Sequence, residues 1–197
     1  MLFISSLQYE TVLHHFFYLC IERLNNMSSI TKFTIATEEG LAVLFQLREA
    51  QIKEKYASKV ETADLQHYLS QQLDHKKTIL ELNDLSTQLL TVYHNEVPAG
   101  YTMIKQVNQP DILADKKVIH LDSFYLLPQH NEEEVRASLW NKVLSLTRQY
   151  DAIWLDVLQD DSLLPYLQAW GFEISEERLM PPFEQPSYLL IRWKKEE

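Results

Sequence analysis

The segment "HLDSFYLLPQHNEEEVRASLW", His120 to Trp140, carries the decision about fold. An apolar, aromatic-rich run ends at Leu127-Pro128, and a helical pattern begins within a few residues. Val135, Leu139, Val143, Leu146 and Tyr150 then recur at helical spacing, which predicts a helix from Glu132 to about Tyr150. Downstream, "DAIWLDVL" is a second short apolar strand. A strand, a helix and a strand in this order predict a parallel pair around "FYLL" and "IWLDV", joined by a right-handed crossover. The junction itself is unusual. A strand end that opens a helix is a common anion site, because the first amides of a helix lack partners. Here that place holds three carboxylates, Glu132, Glu133 and Glu134.

Outward from this unit the pattern continues on both sides. "TKFTIAT" alternates as a strand does, and Thr37 before Glu38 and Glu39 reads as a helix N-cap. Leu41, Leu44, Phe45, Arg48 and Ile52 share one helical face. Thr62 is a candidate cap for a second helix bearing Leu65, Tyr68, Leu69 and Leu73, and "TILELND" extends the helical region. "QLLTVYHNEVPAGYTMIKQ" places two apolar runs around "HNEVPAG", the pattern of a hairpin. Later, "DDSLLPYLQAW" is a short helix stopped by Gly171. "FEISEERLM" and "SYLLIRWK" form a closing antiparallel pair around "PPFEQP". The fold class is therefore α/β (or α+β), a mixed sheet with helices on both faces.

Composition limits the function classes. The 197 residues suit one domain, and 46% hydrophobic content supplies a core. A net charge of −10 argues against nucleic acid and anionic membrane partners. A single cysteine, Cys20, excludes an internal disulfide, and a reducing cytoplasm fits. Residues 1–26 are apolar yet carry Glu10, His14, His15, Glu22 and Arg23. They read as an N-terminal extension that packs as an amphipathic helix, or as translated leader ahead of Met27, with the domain at 27–197. There is no G-x-S-x-G and no GK[ST] element. His120, Asp122 and His130 lack the tight spacing of metal ligands, so no metal is expected. Tyr56, Tyr68, Trp154 and Trp170 could line a pocket, although aromatics at such positions are more often core.

In this order, three sequence words resemble the GNAT superfamily of N-acetyltransferases over roughly Ile30 to Trp193. "VPAGYTMI" resembles that family's third strand, "HLDSFYLLPQH" its fourth strand with the closing Leu-Pro, and "YLQAWGFE" its late helix with the following Gly-Phe. The resemblance implies a mostly antiparallel sheet of six to seven strands and acetyl-CoA-dependent transfer to a small-molecule or peptide amine. A homodimer is left open. It also implies a set of roles. Asp122 or His120 would be the general base, on a strand face shared with Phe124. Amides near Phe124 to Leu126 would polarise the acetyl carbonyl. Amides over Asn131, Glu134, Val135 and Arg136 would hold the pyrophosphate.

Two departures stand out. The family's loop pattern has glycines where this chain has Glu134 and Arg136, with Asn131 at its first position. The late-helix tyrosine that serves as general acid falls on Leu167, with Tyr166 beside it as a displaced acid. The residues offer a structural reading of the glutamates. Asn131 as N-cap with Glu134 three residues on forms a capping box, and Glu132 and Arg136 form an i,i+4 pair. Like charges 4 Å apart repel by roughly 4 kcal/mol at an effective dielectric near 20. A helix start filled by its own acids is thus expected to bind coenzyme A weakly or not at all. Two functions follow: a diverged N-acetyltransferase with weak or altered activity, or a non-enzymatic binding or interaction module on the same fold.

Overall fold

A computed structural model describes residues 29–194; the expectation for residues 1–26 lies outside this range. Among the described residues one sheet of seven strands forms, in the order β1-β2-β3-β4-β5-β7-β6. The strands are β1 (Ser29–Phe33), β2 (Thr87–His94), β3 (Val97–Lys105), β4 (Val118–Leu126), β5 (Ala152–Leu158), β6 (Glu173–Met180) and β7 (Gln185–Trp193). Every neighbouring pair is antiparallel except β4 and β5. The mixed, mostly antiparallel sheet is the one expected.

Among the described residues five α-helices cover it: α1 (Glu38–Tyr56), α2 (Thr62–Gln72), α3 (His75–Leu82), α4 (Glu133–Thr147) and α5 (Leu164–Ala169). Thr37 caps α1 as its sequence promised, its Oγ1 accepting from the Gly40 N–H at 3.1 Å. Thr62 does not cap α2. It is the first helical residue, and Glu61 precedes it without a side-chain bond. The β2–β3 hairpin turns on Asn95 and Glu96, both at positive φ (50° and 66°), the two-residue turn that matches strand twist. β1 is shorter than "TKFTIAT". The chain leaves the sheet after Phe33, while Thr34 is held by its amide on the Leu89 carbonyl and its hydroxyl on Thr91.

Two cores lie on opposite faces. Beneath α4, Val135, Leu139 and Val143 pack on Leu90, Ile119 and Leu190. Beneath α1, Leu44 and Leu47 pack on Leu89, Tyr101, Met103 and Tyr125. Each such side chain, removed from water, contributes about 1.5–3 kcal/mol. A third cluster joins α1 to α2 through Ile52, Tyr56, Leu65, Leu69 and Leu158. Gly100 permits β3 to approach β4, since a Cβ there would collide with the Tyr125 carbonyl and with Leu126. No described helix is long and apolar enough to cross a membrane.

Candidate active site in the parting of β4 and β5

The parallel pair forms, but away from "FYLL". Only Val118, Ile119 and His120 pair, with Ala152, Ile153 and Trp154. Beyond His120 the strands part. On the other side of β4, Ile104 faces Leu121 and the preceding Met103 faces Ser123, so Asp122 is an extra, unopposed residue, a bulge. The extra residue resets the side-chain alternation. Ile119 and Leu121 point into the core beneath α4, and so do Phe124 and Leu126. His120, Asp122 and Phe124 therefore do not share one face: Phe124 packs at the edge of Trp170, 5.4 Å between ring centroids. The parting opens a cavity of about 460 Å³ beneath α1 and α2. A second hollow, about 370 Å³, runs past Tyr125, Leu126 and Asn131, and the two share Lys55, Asp161 and Leu163 as walls.

A chain of charges crosses the first cavity. Arg48, buried on α1, donates to the Gln72 carbonyl at 3.1 Å and faces Glu81 at 3.4 Å. Lys105 binds the other Glu81 oxygen and, at 3.0 Å, Asp122. The second Asp122 oxygen lies 4.0 Å from His120 Nδ1. Beside Arg48, the Tyr101 hydroxyl donates to Gln51 Oε1.

His120 is largely enclosed. Its ring stacks on Trp154 with centroids 4.0 Å apart, and its Nδ1 is buried without a hydrogen-bond partner. Burial pushes its pKa down to about 4; the Lys105 cation pushes the same way, and Asp122 opposes both. At neutral pH the imidazole is thus uncharged, and its enclosure makes it a weaker base than an ordinary histidine.

The far wall comes from β5 and the β5–α5 connection. Asp156 pairs with Arg178 at 3.1 Å, and burial holds its carboxyl above the usual range against that cation. Asp161, almost fully buried, pairs with Lys55 at 2.8 Å; Asp160 pairs with Lys59 at 2.7 Å. These two bridges tie the end of α1 and the turn after it to the β5–α5 connection, at the junction of the two hollows. Tyr56 places its hydroxyl 3.4 Å from Met180 Sδ, and burial raises that phenol to about 12.

The start of α4 differs from its sequence reading. No capping box forms. Glu132, not Asn131, is the N-cap, and no side chain caps the helix. Asn131 ends a 3-10 turn over Pro128–His130, which moves it out of capping position. Glu134 turns to the sheet edge, where its Oε1 accepts from the Ser29 N–H at 2.9 Å. Arg136 does not pair with Glu132. Its guanidinium donates to the Asn131 carbonyl and, at 3.0 Å, to Asn131 Oδ1, and it lies 4.0 Å over the Tyr166 ring. None of Glu132, Glu133 and Glu134 lines either hollow, whereas Asn131 lines the second. Val135 is fully buried beneath the helix.

The structure thus brings His120 and Asp122 together in the cavity, with the main chain of Phe124 beside them. It does not bring Tyr166 there. Tyr166 is 36% exposed and engaged by Arg136, while the neighbouring Leu167 lines the cavity. The roughly 100° between adjacent helical residues accounts for this. Sequence reasoning missed Glu81, Lys105, Lys55 and Asp161 as cavity residues. Arg48 was visible as a lone cation on an apolar helical stripe.

No family model and no curated protein matches the sequence. Solved structures do. The chain is similar to a PaiA N-acetyltransferase from Thermoplasma acidophilum in complex with coenzyme A, with a TM-score of 0.68, 14% identity, and coverage of 85% of this chain and all of that one. It is also similar to a GCN5-related N-acetyltransferase from Rhodopseudomonas palustris, with a TM-score of 0.62, 17% identity, and coverage of 85% and 98%. A third likeness is to Arabidopsis thaliana Naa50 in complex with a bisubstrate analogue, CoA-Ac-MVNAL, with a TM-score of 0.54, 13% identity, and coverage of 82% and 97%. The fold is the GNAT fold.

Proposed function

We propose that this GNAT-fold domain is an acetyl-CoA-dependent N-acetyltransferase acting on an amine in the cavity between the parted strands. The observation that carries this reading is the parting itself. It opens β4 main chain beside a bulge, and it places Asp122 and His120 on a cavity large enough for a small acceptor. The site fits coenzyme A by its donors. The first amides of α4 have no side-chain cap, Arg136 sits next to them, and Glu134 is engaged elsewhere. The thioester supplies an activated acetyl group.

The chain's own residues do the rest. Asp122 or His120 takes the proton that the acceptor nitrogen must lose, and Lys105 fixes the Asp122 carboxylate. Amides around Phe124 to Leu126, where β5 has parted from β4, would stabilise the charge that the acetyl oxygen gains. Transfer forms one N–C bond and breaks one C–S bond. An ammonium acceptor gives up two protons, one ending on the thiolate sulfur and one in solvent. With Leu167 in the cavity and Tyr166 outside it, α5 offers no phenol to the thiolate, so slow turnover is expected. The interaction-module reading rested on carboxylates filling the groove, and no acid at the start of α4 lines it.

Calorimetric titration with acetyl-CoA, followed by thiol-release assays on an amine panel, tests the proposal. Micromolar binding with turnover supports it. No binding at millimolar acetyl-CoA, together with no thiol release, sinks it.

A further inference from the structure

The cavity has two poles of different chemistry. One is the proton-accepting pair, Asp122 and His120. The other is a set of donors on α1 and α2. Arg48 carries five N–H groups, which meet the Gln72 carbonyl, Glu81 at 3.4 Å and the neighbouring Tyr101 hydroxyl, so part of its donor set is left over. Glu81 gives its nearer contact to Lys105. Gln51 has spent its carbonyl oxygen on Tyr101, which leaves its amide nitrogen as a donor. The Tyr68 hydroxyl lines the same cavity and has no partner among the described residues.

The poles are close together. Burial lifts the Tyr68 phenol above its usual range, and Tyr101 and Asp122 push the same way while Arg48 opposes. The Tyr101 phenol is likewise raised by burial, with Arg48 opposing and Asp122 assisting. Arg48 and Asp122 are linked through Glu81 and Lys105 alone, and both poles line the one cavity of about 460 Å³, so one short molecule can span the distance. Every acid of the lining is paired, Asp156 by a cation from outside it. Glu81 is matched by Arg48 and Lys105, Asp122 by Lys105, Asp156 by Arg178 and Asp161 by Lys55. A polycation finds no unpaired acid there, and a lone anion finds no unpaired cation. A zwitterion suits both poles without unbalancing either.

We infer that the acceptor is a small amine that also carries a carboxylate, an amino-acid-like zwitterion, with its nitrogen at Asp122 and His120 and its carboxylate on Arg48, Gln51 and Tyr68. This deepens the transferase reading and rests on it. A guanidinium meeting a carboxylate in an enclosed site makes paired, charge-assisted bonds, which a neutral amide analogue does not reproduce.

The test is thiol release from acetyl-CoA by the full chain. The panel comprises α-amino acids and short ω-amino acids, each beside its carboxamide and its decarboxylated amine. The expected result is a kcat/KM roughly ten- to hundredfold higher for at least one carboxylate-bearing acceptor, expressed mainly in KM. Arg48→Gln should erase that preference. Tyr68→Phe, which keeps the ring, should lower it several-fold and guards against an Arg48 variant that fails to fold. Equal or better turnover of the carboxamides or plain amines overturns the inference and leaves the transferase reading intact. If no amine turns over and acetyl-CoA does not bind, the transferase reading fails by itself; with or without turnover, the same panel titrated calorimetrically still decides the inference. Amino acids that then bind no better than their carboxamides overturn the inference.

Discussion

Replacing His120 by Phe should make the protein less acid-sensitive, by an amount the structure sets. The imidazole is 13% exposed, stacked on Trp154, and its pKa is lowered to about 4 from an ordinary 6.5, chiefly by burial, with Lys105 adding and Asp122 opposing. A histidine depressed on folding contributes stability that is fully present above pH 6.5 and is lost as pH falls toward 4, because the unfolded chain takes up the proton first. The whole shift corresponds to about 3 kcal/mol, and most of it is gone by pH 4.5. Phe keeps a ring on Trp154 and removes the titration. Urea unfolding followed by tryptophan fluorescence, at pH 7 and pH 4.5, reads the difference. The parent should lose roughly 2–3 kcal/mol more than the variant between these two values. Carboxylates common to both chains cancel in the comparison. Parallel losses, or a His120 ring proton resonance titrating near pH 6.5, would refute the reasoning that this imidazole is held neutral by its enclosure.

Other consequences are equally direct. Tyr166→Phe should leave kcat within about twofold, since the phenol lies outside the cavity and is not within reach of the reacting atoms; a loss of a hundredfold in thiol release would restore it as the acid. Glycine at both Glu134 and Arg136 should not tighten acetyl-CoA binding by more than about tenfold in calorimetry, because Glu134 already faces Ser29 rather than the groove. Glu96→Gly should stabilise the β2–β3 turn by about 0.5–1 kcal/mol in urea unfolding, relieving a positive φ that a side chain resists. Gly100→Ala should cost roughly 1–3 kcal/mol, as its Cβ meets the Tyr125 carbonyl.

Much of this was legible from residues alone, for reasons that are local. The hairpin at Asn95 and Glu96, the Thr37 cap, Gly171 ending α5 at φ +91°, and the α4 stripe are all set by neighbours within a few positions. The bulge was not legible. It is a register property of β3 against β4, and it moved Phe124 to the opposite face from the one alternation predicts. The α4 acids show the same limit from another side. Their number and spacing fit a capping box, yet Glu134 is claimed by Ser29, a residue 105 positions away that only the β1–β2 pairing brings near. A capping pattern states what a side chain can do locally, and a tertiary donor can outbid it by little more than the strength of one hydrogen bond.

The ion pairs explain how a chain of net charge −10 can build an anion-tolerant cleft. Charge interactions between exposed groups fade beyond about 8 Å at physiological salt, whereas enclosed pairs are screened far less. What a ligand meets is therefore the local set, and that set is matched carboxylate to cation around the cavity. Lys55–Asp161 stands where the two hollows join, so a cofactor arm threading from one to the other must pass that bridge. Opening it would leave Asp161, only 6% exposed, with a buried and unmatched charge. The bridge thus holds α1 against the β5–α5 connection. The same helix carries Tyr56 and Arg48 on the wall of the first cavity, so the bridge fixes that wall as well.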